Sequence, residues 1–158
     1  MHVKDFLLAL FHNELLLTPF WAWCCAQILK TLIYLISNPE FNKERLVGDG
    51  GMPSSHSATV MALVTVAAIR YGAGSYQFAI SAVMALIVMH DAMGVRRETG
   101  NQARVINSIQ EFMQELGREM PAEERLKELV GHTPLQVLMG ALLGTAVGLV
   151  NCLILQGG

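Results

Sequence analysis

GDGGMPSSHSATVMALVTVAAIRYG, residues 48–72, starts as a polar, glycine-rich loop and ends as an apolar helix. Ser54 or Ser55 can cap that helix, and Pro53 keeps the preceding chain extended. The first turn then offers unpaired backbone N–H groups and the positive end of the helix dipole, which together suit an anion. Gly48, Gly50 and Gly51 let backbone approach a ligand closely. His56 lies in this turn. Two readings follow. The stretch is a capped helix start with an interfacial histidine, or it is an anion site with an ionisable ring beside it.

The rest of the chain sets the surroundings. It has 158 residues, enough for one domain spanning 1–158. Its hydrophobic fraction is 53% and its charged fraction 15%, against roughly 25% charged in soluble domains. Mean hydropathy is +0.41. Four runs, about 13–36, 54–71, 75–93 and 134–155, approach the ~20 apolar residues that cross a bilayer as a helix, and none shows the charged stripe of a soluble bundle. The expected fold is therefore all-α: a membrane-embedded helical bundle with about four transmembrane helices. The polar stretch 94–133 adds a helical segment between the third and fourth, because RRETGNQARVINSIQEFMQEL holds few helix breakers. A short charged helix, AEERLKELV, follows Gly117 and Pro121. The first apolar run lacks a basic leader and a small-residue cleavage site, so no signal peptide is expected. Net charge −2 gives no bulk attraction to nucleic acid. Cys24, Cys25 and Cys152 sit in apolar runs without CxxC spacing and read as small buried hydrophobes.

Four spans put both termini on one side of the membrane and the 37–52 and 94–133 segments on the other. Lys43, Arg45, Arg96, Arg97, Arg104, Arg118, Arg125 and Lys127 fall on the second side, Lys4 and Arg70 on the first. That bias makes the second side cytoplasmic, unless these cations bind substrate instead of setting topology.

The chemistry-bearing residues gather on that cytoplasmic side. GHTPLQVLMGALLG, residues 131–144, repeats the opening design: a glycine, His132, then Thr133 and Pro134 starting a helix. Its Gly140, Gly144 and Gly148 recur every fourth residue, a pattern that lets membrane helices pack closely, within one chain or between two copies in a homo-oligomer. Asp91 ends an apolar span, where an acid is rare and usually paired or functional. Arg96 and Arg97 can fork onto a phosphate or simply mark the inner face. Lys30, inside the first span, must meet an anion or snorkel to the interface. Two histidines, several cations and two helix N-termini form an inventory for handling anions. No cluster of carboxylates or thiols suggests a metal.

GGMPSSHSA, DAMGVRRETGNQA and GHTPLQVLMGALLG together resemble the divergent branch of the type 2 phosphatidic acid phosphatase family, related to vanadium haloperoxidases. The resemblance covers nearly the whole chain and implies an all-helical, metal-independent phosphatase of lipid phosphates, with no cofactor. It makes His132 the nucleophile that carries the phosphoryl group, and His56 the general acid. It gives phosphate binding to Lys30, with Arg45, Ser54, Ser55, Arg96, Arg97 and Lys127 as further candidates, and leaves Asp91 to orient His132. The sequence departs from the family pattern. Ser37 and Asn38 stand where an arginine and a proline follow the motif lysine; Leu126 stands where an arginine precedes the second histidine; Gln136 stands where an aspartate follows it.

The expected protein is thus a multi-pass membrane phosphatase acting on a phospholipid or isoprenoid phosphate, such as phosphatidylglycerophosphate, phosphatidic acid or a polyprenyl diphosphate, with its site on the cytoplasmic face. Two alternatives stand beside it: a non-catalytic membrane protein that binds or moves anionic lipids, and a soluble helical enzyme.

Overall fold

A computed structural model of the chain describes residues 3–37, 51–117, 126 and 131–156. Those residues form six helices and no strand. α1, Val3–Phe11, has no buried residue. Asn13 then accepts the Leu15 N–H on its side-chain oxygen at 3.0 Å and opens α2, Glu14–Ser37. Ser54 caps α3, Ser55–Tyr71. Gly72, at φ +83°, ends it by donating its N–H to the Ala68 carbonyl. Ser75 caps α4, Tyr76–Met93, and accepts the Phe78 N–H at 3.2 Å. Gly94 separates α4 from α5, Val95–Glu115, and α6 runs over Pro134–Gln156.

The hydrogen bonds fix how these helices run. At one end of the bundle, Arg70 in the last turn of α3 pairs with Glu14 in the first turn of α2, with Nε to Oε2 at 2.7 Å. Near the same end Asn151 of α6 donates to the Thr18 hydroxyl of α2 at 2.7 Å. α2 is therefore antiparallel to both α3 and α6. α3 and α6 run parallel, because Gly140 faces Ser54 and Ser57, Gly144 faces Ala58, and Gly148 faces Thr65. At the opposite end the His132 N–H donates to the Ala92 carbonyl at 2.9 Å, which brings the end of α4 to the start of α6. α3 and α6 thus present both N-termini at one end of the bundle.

The glycine stripe is what seats α6 on α3. A side chain at Gly140 or Gly144 would overlap the carbonyl oxygen of Ser54 or Ala58, and one at Gly148 would lie 2.8 Å from Thr65 Cβ. All three glycines are buried. The stripe therefore packs within the chain, against α3, which is one of the two arrangements its spacing allows. Ala22, Ala26, Ala58 and Ala62 complete a core of small residues, with Leu143 and Val147 packed against it. Close helix approach through small residues is the usual way membrane helices gain packing energy.

Among the described residues three stretches are long and apolar enough to cross a membrane: Glu14–Ile36, Tyr76–Glu115, which joins α4 to α5, and Pro134–Ile154. The sequence suggested four. The difference is α3, which has 17 residues and so a length of about 25 Å, short of a hydrocarbon core of about 30 Å. Its Ser, Thr and Ala positions turn toward neighbours, with Ser55, Ser57, Ala58, Val60, Ala62, Val66 and Ala67 buried. α3 is the central helix, sheathed by α2, α4 and α6, while Ile28, Leu32, Val83, Leu86, Ile87, Leu142 and Ile154 face outward. The molecule is a helical membrane bundle.

Candidate functional site

The site is built where α3 and α6 begin. Each helix start is capped from within. Ser54 Oγ accepts the Ser57 N–H at 3.3 Å and the Ser57 hydroxyl at 3.1 Å. Ser54 itself is fully buried, and its N–H donates to the Gln136 carbonyl at 3.0 Å, tying the α3 loop to the first turn of α6. On α6, the Gln136 side-chain oxygen accepts the Thr133 N–H at 3.0 Å, and the Thr133 hydroxyl accepts the Gln136 N–H at 3.3 Å. This reciprocal pair is a capping box. It explains the residue that most disturbed the family pattern: the carbonyl end of Gln136 closes its own helix start.

The two histidines meet across this joint. The rings of His56 and His132 lie edge to face, with centroids 5.7 Å apart and an interplanar angle of 82°. His132 is 1% exposed, and its backbone is held by Ala92, the residue after Asp91. His56 is half-buried. Asp91, in the last turn of α4, is half-buried as well.

Lys30 reaches the same loop from α2. It is 5% exposed, so it does not snorkel into the surrounding water. Its stem lies under Gly51, where an added Cβ would meet Lys30 Cγ at 3.2 Å and Cδ at 3.4 Å. Gly51 also holds φ at +106°, a conformation that side chains rarely adopt. Glycine is thus required there on two counts, and the Lys30 stem runs beneath the loop that leads into α3 and His56.

The predicted residues divide as follows. His56, His132, Lys30, Ser54 and Ser55 come together at the α3–α6 joint, with Asp91 one residue from the backbone contact that holds His132. Ser54 and Ser55 are buried in the helix start, and Ser54 Oγ accepts the two cap hydrogen bonds from Ser57. Arg97 is exposed in the first turn of α5. The side chain of Arg96, and Arg45 and Lys127 altogether, lie outside the described residues. Among the described residues no group of three or more His, Cys, Asp or Glu is arranged to hold a metal ion.

Asn107 is a residue the sequence did not single out. It is 2% exposed on α5. Its amide donates to the Leu126 carbonyl at 2.9 Å and accepts the Leu126 N–H at 3.0 Å. This two-bond clasp grips the chain six residues before His132. The partners are 19 residues apart, beyond any local pattern, so nothing in the sequence marks them. The start of α6, by contrast, was readable as Thr133 and Pro134 after His132.

The fold and site define a helical membrane protein with a histidine pair set between two parallel helix N-termini, and a buried lysine whose stem lies under Gly51 of the loop before α3. The chain belongs to the family described as Divergent PAP2 family, whose sequence pattern matches residues 11–147. It is 41% identical over 147 residues to the protein named "Uncharacterized membrane protein YuiD" of Bacillus subtilis (strain 168), an alignment that covers 87% of this chain and 93% of that one. No solved structure matches it.

Proposed function

We propose that the protein is a metal-independent phosphatase of a membrane lipid phosphate, with His132 as nucleophile and His56 as general acid. The observation that carries this reading is the His56–His132 pair at 5.7 Å, set between two helix N-termini and beside the loop that covers Lys30. A lone pair of His132 attacks phosphorus, and the bond from phosphorus to the lipid oxygen breaks. His56 gives its proton to that oxygen. Water then attacks the phosphohistidine, His56 takes the water proton, and inorganic phosphate leaves with His132 regenerated. The Lys30 charge and the positive ends of the α3 and α6 dipoles stabilise the transferring phosphoryl group. Asp91 orients His132, in place of the aspartate that relatives carry where this chain has Gln136. In this reading the histidine end is cytoplasmic, which the basic residues of the intervening loops support.

A phosphate-release screen over phosphatidylglycerophosphate, phosphatidic acid and polyprenyl diphosphate, in a chelator, tests the reading. The expected result is turnover of at least one lipid by wild type and none by His132→Ala. Equal release by His132→Ala removes the nucleophile assignment.

One observation favours a second reading. At 1% exposure His132 is covered, so a phosphorus atom reaches its ring only after neighbouring groups shift. A protein that binds anionic lipids without cleaving them needs no such shift. Lipid binding that persists in both histidine variants, with no turnover by wild type, selects that reading.

A further inference from the structure

α5 has a face that the bundle does not cover. Three stripes run along it. Gly100, Ala103 and Asn107 are buried and form the edge that holds Leu126. Arg97, Asn101, Arg104, Ser108, Glu111 and Glu115 form an exposed polar stripe. Beyond the polar stripe, opposite the buried edge, Val105, Ile109, Phe112 and the C-cap Leu116 recur at spacings of four, three and four, and each is half or more exposed. A helix in water does not arrange four large apolar side chains this way unless something covers them.

We infer that this stripe rests on the bilayer, with α5 lying at the interface on the histidine side of the membrane. Two observations select lipid as the occupant. α5 follows directly on α4, with only Gly94 between, and α4 presents Ile80, Val83, Leu86 and Ile87 outward, so α5 begins where a helix with an outward apolar face ends. The polar stripe beside the apolar one is charged along its length, so α5 does not cross the hydrocarbon core. An apolar face against acyl chains with a charged face in water is the arrangement of an interfacial helix. Through Asn107 and Leu126 the membrane-resting helix is joined to the segment that leads to His132. The inference concerns a lipid contact and holds whether or not the site is catalytic.

Brominated-lipid quenching tests it. The full chain carrying Trp21→Phe and Trp23→Phe is reconstituted in phosphatidylcholine–phosphatidylglycerol vesicles, with tryptophan placed by Phe112→Trp or, separately, by Ser108→Trp. Ile109→Trp repeats the measurement if the first variant does not fold. The expected result is blue-shifted emission at 112 or 109 that bromines at shallow chain positions quench, and red-shifted, unquenched emission at 108. Unquenched, red-shifted emission at all three positions overturns the inference. So does blue-shifted emission at 112 or 109 without quenching, which marks a protein partner such as a second copy of the chain.

Discussion

His56 and His132 do different work, and substrate chemistry separates them. A general acid contributes about 10²- to 10⁴-fold by protonating the departing oxygen, so His56→Ala should slow release from a lipid phosphate by that factor. With a nitrophenyl phosphate, whose leaving group needs no proton, the same variant should lose far less. An equal loss on both substrates removes the acid role from His56. Gln136 makes a separate prediction. Gln136→Ala breaks the capping box and should cost about 0.5–2 kcal/mol, read as a lower unfolding temperature in detergent. Gln136→Glu keeps the box and should leave that temperature near wild type. If Gln136→Glu melts as low as Gln136→Ala, the capping assignment fails. Both histidines and the two helix starts were legible in the sequence, because helix starts have local signatures, whereas Gln136 read only as a departure from the family pattern. The burial of His132 and the Asn107 clasp were not, since long-range packing decides them.

The pairing of α3 with α6 sets the whole site at the level of elements. Parallel helices seated by glycines hold the two N-termini level, and with them the two histidines. Gly144→Ala drives a methyl group into the backbone of Ala58 and should destabilise the bundle by about 1–3 kcal/mol. Gly74→Ala, in a turn with open space around it, is the matched control and should be near neutral. Comparable melting of the two variants contradicts the seating. The glycine period was plain in the sequence; its partner was not, because a small-residue stripe fits another helix of the same chain as well as a second copy. α3 was legible as a helix, but its role as the sheathed centre was not, since an apolar run reads alike whether it faces lipid or protein.

The molecule as a whole has two unlike ends. One is stitched by Glu14–Arg70 and Thr18–Asn151; the other holds His56, His132 and the covered Lys30. The sequence assigns Lys4 and Arg70 to the stitched end and eight basic residues to the histidine end, and the proposed orientation puts the histidine end in the cytoplasm on that bias. A cysteine introduced by Ser108→Cys should therefore react with a membrane-impermeant maleimide in inside-out vesicles and stay unlabelled in intact cells; labelling in intact cells reverses the orientation. The central claim is that the histidine end accepts a phosphoryl group, and trapping that intermediate tests it most directly. Rapid acid-free quenching of wild type with a ³²P-labelled lipid phosphate should leave alkali-stable, acid-labile label on the protein, absent in His132→Ala. Label that persists in His132→Ala, or phosphate release with no labelled wild-type protein at any quench time, contradicts it.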